Sequence, residues 1–202
     1  MKKFALLLIA LLMVTPIFAW DNNNHVIMEA AQMAASSKPQ RHFQFRGVPI
    51  DGHVKKFVTK MKKLGYTEKT QHDGVFIMKG TFTGRDAELY IAYTPKSKTV
   101  YNVGVYLDKS LSWDYLKELY NTYKEEFTKK YGAEGYPREY FEPPYKEGDG
   151  KELEALAEGK CVYASFFPFN KGEAILNLSR QGQLVIVYAD NQNKELYDAE
   201  MK

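Results

Sequence analysis

Three runs of alternating apolar and polar residues follow closely on one another in the middle of the chain. They are Val75 to Phe82, Ala87 to Thr94 and Val100 to Leu107, all rich in Val, Ile, Tyr and Phe. Only Thr83-Gly84-Arg85-Asp86 and Pro95-Lys96-Ser97-Lys98 separate them, and both are short turn sequences. Strands joined so tightly pair antiparallel, because a parallel neighbour needs a long crossover. The rest of the fold has to be built on this meander.

A helical stripe lies on each side of it. Val54, Phe57, Val58, Met61 and Leu64 share one face of a helix, with Asp51 as the expected N-cap and Gly65 as the stop. Trp113, Leu116, Tyr120, Tyr123 and Phe127 trace a second helix, capped by Ser112 and ended at Tyr131-Gly132. Residues 133 to 150 carry Pro137, Pro143, Pro144, Gly135, Gly148 and Gly150, so a long loop without regular structure is expected there. Lys151 to Glu158 suits a short helix. Cys161 to Phe167, Glu173 to Arg180 and Gln183 to Tyr188 then read as three more strands, turned by Asn170-Lys171-Gly172 and Gln181-Gly182. The tail from Asp190 is polar and mixed.

These elements predict an α+β fold, an antiparallel sheet of about six or seven strands with two main helices on one face. The order helix-then-three-strands occurs twice, over 45–108 and 112–190. The third strands share a phrase, Val103-Gly104-Val105-Tyr106-Leu107-Asp108 against Val185-Ile186-Val187-Tyr188-Ala189-Asp190, both of the form V-x-V-Y-x-D. Gly84-Arg85-Asp86-Ala87-Glu88-Leu89 also compares with Gly172-Glu173-Ala174-Ile175-Leu176, one residue shorter. This order resembles the tandem α-β-β-β units of the β-lactamase-inhibitor-protein fold. The run from Phe45 to Leu107 is similar to small exported Bacteroidetes proteins of unknown function, on phrases such as Arg46-Gly47-Val48-Pro49-Ile50-Asp51-Gly52 and Lys79-Gly80-Thr81-Phe82. The resemblance implies a fold and an export habit, and carries over no inhibitory residue.

The N-terminus supports export independently. Met1-Lys2-Lys3 is a positive n-region and Phe4 to Val14 an apolar h-region, which predicts a signal peptide over 1–19 cleaved after Ala19. Its apolar run is too short to cross a bilayer, and no later stretch stays uncharged for longer, so no membrane span is expected. Residues 20–44 read as a leader, with Val26, Ile27, Ala30, Met33 and Ala34 at helical spacing, and 45–202 as one α+β domain. Cys161 is the sole cysteine and lies far from the position of a lipoprotein acylation site. No lipid anchor and no internal disulfide follow from it, and the exported chain, periplasmic or secreted, must be held by its own core. Lys2 and Lys3 supply two of the three units of net positive charge. The processed chain is thus close to neutral and gives no reason to expect nucleic acid as a partner.

Candidate chemistry is sparse. Cys161 as a nucleophile would need a histidine beside it, and His25, His42, His53 and His72 stand in no cysteine-protease context. A small buried side chain at the start of a strand is the simpler reading of Cys161. No histidine pair at i, i+4 and no Cys-x-x-Cys indicates a metal, and no glycine-rich strand-to-helix turn indicates a nucleotide, so no cofactor is expected. Asp86, Glu88, Asp108, Glu173 and Asp190 lie on or beside strands, where a pair could serve glycoside hydrolysis, but solvated surface carboxylates look the same. Lys55, Lys56, Lys60, Lys62 and Lys63 crowd the polar side of the first helix without interleaved aromatics, as a solvated face does.

Tyrosine is the more informative residue. Strand alternation puts Leu89, Ile91, Val103, Val105, Leu176, Leu178, Val185 and Val187 on one face, the seat of the helices, and Tyr90, Tyr106 and Tyr188 on the other. The 133–150 loop adds Tyr136, Tyr140, Phe141 and Tyr145 between prolines. Such aromatics join a large contact area to a polar tip and suit protein or glycan recognition, though tyrosine also sits well on any half-solvated sheet. The expectation is an exported, noncatalytic binding or interaction protein of the bacterial envelope. The alternative is an envelope hydrolase using Cys161 or a carboxylate pair.

Overall fold

Residues 41–202, apart from 133 and 136, are described by a computed structural model. The signal sequence, the stripe from Val26 to Ala34 and Tyr136 lie outside the described residues. The chain first doubles back: β1 (Gln44–Phe45) pairs antiparallel with β2 (Val48–Pro49) across Arg46 and Gly47, whose φ values are 47° and 75°. Positive φ at both central residues is the tight hairpin turn, which glycine enters without a Cβ penalty. The ribbon sends Phe45 and Ile50 into the core.

Helix α1 (Val54–Lys63) buries Val54, Phe57, Val58 and Met61, as its stripe requires. Its N-cap is His53, whose Nδ1 accepts from the Lys55 amide at 3.2 Å, and not Asp51. The Asp51 carboxylate is engaged elsewhere, accepting from Asn193 Nδ2 at 3.1 Å and facing His42 Nε2 at 3.6 Å. Leu64, expected to close the stripe, is the C-cap and is exposed.

Four strands follow, β3 (Thr67–His72), β4 (Val75–Phe82), β5 (Arg85–Tyr93) and β6 (Val100–Leu107). Then come α2 (Trp113–Tyr131), β7 (Arg138–Phe141), α3 (Glu152–Glu158), β8 (Cys161–Phe169), β9 (Gly172–Leu178), β10 (Leu184–Asp190) and α4 (Asn191–Glu200). The larger sheet has eight strands in the order β3-β4-β5-β6-β10-β9-β8-β7, with every neighbouring pair antiparallel. The architecture is α+β, with more strands and helices among the described residues than the two stripes and six clear runs foretold.

The unforeseen strands are the two edges. β3 is Thr-Glu-Lys-Thr-Gln-His, exposed at every position, so no apolar alternation announces it. β7 lies inside the stretch expected to be irregular, where Phe141 alone of its four residues is not exposed. Backbone pairing on one side holds each, and a polar outer edge discourages further strand addition. Helix α4 is unforeseen for a similar reason, since only Asn193 on it is buried. Asp190 caps it by accepting from the Asn193 amide, Tyr197 stacks on Tyr101 with centroids 4.5 Å apart, and the Glu200 carboxylate accepts from the Lys96 and Ser97 amides at 2.6 and 3.1 Å. It thus runs from the end of β10 to the turn before β6.

Helices α1, α2 and α3 share one core with one face of the sheet. Phe57, Met61, Leu116, Tyr120, Phe127 and Leu156 meet Leu89, Ile91, Val103, Val105, Leu176 and Ile186 there. Fully burying each such side chain contributes about 1.5–3 kcal/mol. β10 is where the expected face assignment fails. Directly opposed residues of an antiparallel pair point to the same face, and Val103 opposes Tyr188 while Tyr106 opposes Val185. Tyr188 is therefore on the helix side, buried among Phe43, Phe45 and Phe127, and Val185 and Val187 are on the open side. It follows that the two V-x-V-Y-x-D phrases do not occupy equivalent positions in the sheet.

Candidate functional site

The side of the sheet away from α1, α2 and α3 carries a band that crosses the strands. Ladder pairings place Ile77, Tyr90, Gly104, Val187, Ile175 and Phe166 directly opposite one another from β4 to β8. A second row beside it runs Lys79, Glu88, Tyr106, Val185, Asn177, Ala164 and Arg138. At the strand spacing of ~4.8 Å the first row is roughly 24 Å long. Except for Ile77 and Gly104, its members are partly exposed.

Its centre is an aromatic pair. The rings of Tyr90 and Tyr106 have centroids 4.3 Å apart, and a Cβ on Gly104 would lie 3.1 Å from Tyr106 Cε2. The absence of a side chain at Gly104 therefore lets the Tyr106 ring lie over the backbone. Tyr90 donates a long hydrogen bond to Glu88 Oε2 at 3.4 Å, and burial, then the Glu88 charge, push its hydroxyl pKa up. Glu88 itself is paired with Lys69 and, at 4.0 Å, with Lys79. The corner is thus charge-compensated.

Tyr140 opposes Val162 and is 45% exposed at the β7 edge, on the same side as the band, where Arg138 lies over the Phe166 ring at 6.0 Å. Phe141 and Tyr145 turn inward instead. Phe141 packs edge-on to Trp113 at 5.7 Å, and Tyr145 packs against the core with its hydroxyl donating to Glu154. Of the expected recognition residues, the fold gathers Tyr90, Tyr106 and Tyr140 on the open side, places Tyr188 within the core and packs Phe141 and Tyr145 against it. Strand alternation alone did not reveal Val187, Ile175 and Phe166, which complete the band once the register is known.

No protein-family model, curated protein or solved structure matches the chain. The surface has to be read from its own chemistry.

Cys161 is buried at the start of β8, and burial, reinforced by the charges of Glu147 and Glu152, pushes its thiol up to about 12. Among the described residues no histidine is placed to activate it: His42 pairs with Asp190 and Asp51, His53 caps α1, and His72 ends β3. In the folded protein at pH 8, Cys161 should react with iodoacetamide at least about a hundredfold more slowly than in urea, as followed by mass spectrometry. Tyr101 is likewise raised to about 12, chiefly by burial and then by Tyr197. An unfolded chain gives up these protons near pH ~8.5 and ~10. Stability fully present at pH 8 should therefore drain away as the pH climbs toward 12, visible in a urea-midpoint series.

Two of the candidate carboxylates share a cleft and the other three lie apart from them. Asp190 is fully buried and committed to backbone amides, Glu88 is ion-paired, and Glu173 lies near the start of β9. Asp86 and Asp108 both line an open cleft of ≈ 670 Å³ between the β4–β5 turn and the start of α2, together with Arg85, Lys109 and Tyr115. Glu134 and Glu139, which the sequence did not single out, share Lys124 at 2.9 and 2.6 Å. Among the described residues no three His, Cys, Asp or Glu side chains gather into a set able to hold a metal ion, and no helix is long and apolar enough to cross a membrane. Lys62 on the basic face of α1 pairs with Glu68 at 2.6 Å.

Proposed function

We propose that this chain is an exported, noncatalytic binding protein of the cell envelope that contacts a protein or glycan through the open face of its sheet and the β7 edge. The observation that carries this reading is the apolar row from Ile77 to Phe166, with the tilted ring pair of Tyr90 and Tyr106 at its middle. Three helices occupy the opposite face, so the row serves no purpose in the shared core. Tyrosines on a rigid sheet offer contact area with little side-chain entropy to lose, and their hydroxyls accept either protein or sugar hydrogen-bonding partners. The signal-like N-terminus supplies the envelope part of the reading. A tandem origin is part of the same proposal, supported by a helix preceding four sheet strands in each half.

The test is affinity capture from the native envelope alongside a glycan array. Alanine at Tyr90, Tyr106 and Tyr140 together is expected to weaken a recovered partner at least thirtyfold, since central tyrosines of an interface are typically worth about 2 kcal/mol or more. Unchanged binding by a variant that keeps its circular dichroism spectrum would remove this surface from consideration.

A further inference from the structure

We infer that the partner seated on the open face is a second copy of this chain, packed sheet to sheet about a twofold axis parallel to β6 and β10. The inference rests on the recognition-surface reading above and names its occupant. Eight strands ~4.8 Å apart, with central strands rising ~3.3 Å per residue over about seven residues, present roughly 800 Å². That is the area each partner contributes to a standard stable interface. Along the apolar middle of this face Tyr90, Val187, Ile175 and Phe166 keep part of their surface exposed, which a partner can bury.

The face is also complementary to itself. A twofold axis running between β6 and β10 lays each strand on its counterpart across the middle of the sheet: β6 on β10, β5 on β9, and β4 on β8 of the other copy. Along the apolar row Ile77 then faces Phe166, Tyr90 faces Ile175, and Val187 faces the place over Gly104 where the Tyr106 ring lies. Each aromatic side chain meets an aliphatic one. In the next row Tyr106 faces Val185, the Glu88 carboxylate faces the Asn177 amide and Lys79 faces Ala164, so no like charges are opposed. On the other side of the band Glu173 faces Ala92 and Asn102 faces Ala189. Sheets packed face to face keep their strand directions within about 30° of each other, which holds the central strands together and leaves the Tyr140 edge at the rim.

Sedimentation velocity on the processed protein at roughly 1–100 µM should give twice the chain mass. Val187→Glu brings two carboxylates together beside the axis and should weaken the dimer at least a hundredfold with the spectrum of the fold unchanged. Lys56→Glu, on the outer face of α1, should leave the mass alone. Should Val187→Glu fail to fold, a second readout decides: in a Cys161→Ala background, separately purified Tyr90→Cys and Ile175→Cys chains should form a mixed disulfide far faster than either chain with itself. A monomer throughout the concentration range overturns the inference, as does a dimer indifferent to Val187→Glu or a cysteine pair that does not couple. If the chain is monomeric and the Tyr90, Tyr106 and Tyr140 alanine variant still loses a captured partner, the face is a recognition surface for another molecule. If both results are negative, the recognition reading falls as well.

Discussion

Replacing Asp190 with alanine is expected to lower stability by about 3 kcal/mol, the sum of a lost helix cap and a buried amide left without an acceptor. Asp190 ends β10, has no solvent exposure, and accepts from the Phe43 amide at 2.7 Å, the Asn193 amide at 2.9 Å and His42 Nδ1 at 3.2 Å. One carboxylate thereby ties the first described residues to the last helix. Its N-cap partner Asn193 is itself buried and donates to the carbonyls of Ile50 and Val100, so the loss spreads to the entry of α1 and the start of β6. For a domain of this size the change corresponds to a fall of about 6–12 °C in Tm, measurable by scanning calorimetry. Asp190→Asn keeps one acceptor oxygen and should lie between the two. A drop in Tm of less than about 2 °C for the alanine variant would show that the knot around Asp190 does not hold these elements together.

Gly172→Ala should be about as damaging, near 3 kcal/mol, for a steric reason. A Cβ at position 172 would sit 2.2 Å from the Ala189 carbonyl oxygen and 2.8 Å from Phe43 Cβ. The carbonyl belongs to the β9–β10 ladder, where Gly172 opposes Asp190, and cannot retreat without opening it. Phe43, for its part, is stacked on Phe169 with centroids 5.0 Å apart. The urea midpoint should fall accordingly, whereas Glu173→Ala, one residue on, should stay within about 0.5 kcal/mol. Because Gly172→Ala and Asp190→Ala both release Phe43, the double variant should lose less than the sum of the two.

The parts of the fold legible in the sequence are those whose side chains face two different environments. β4, β6 and α2 with its Ser112 cap have the bounds their sequence predicts, because apolar and polar positions alternate there with a clear period. β10 lies at the middle of the sheet and is Leu-Val-Ile-Val-Tyr-Ala-Asp, with every position but Val187 buried, so its composition gives no clue to which residues face the helices. A slip of one residue reverses every side chain, and that is how Tyr188 came to be expected on the open face. β3 and β7 erred in the opposite sense, being edge strands too polar to show a period. The sequence placed Tyr90, Tyr106 and Tyr140 away from the helices, and the ladder pairings put all three on the open side. Phe141 and Tyr145 were not separable from them, since an aromatic residue between prolines looks the same whether it faces solvent or caps a core.

The seam between β6 and β10 has a consequence for how the molecule comes into being. β3 to β6 form a continuous meander that needs only neighbouring sequence, but the partner of β6 on its far side is the last strand of the chain. Until β10 is in place, a folded first half presents β6 as a bare, valine-lined edge, the kind that invites pairing with a neighbouring chain. Closing the seam is the most non-local event in the topology and should set the folding rate. A chaperone that shields this half until β10 arrives would therefore matter more for yield than any gain in the stability of the finished sheet.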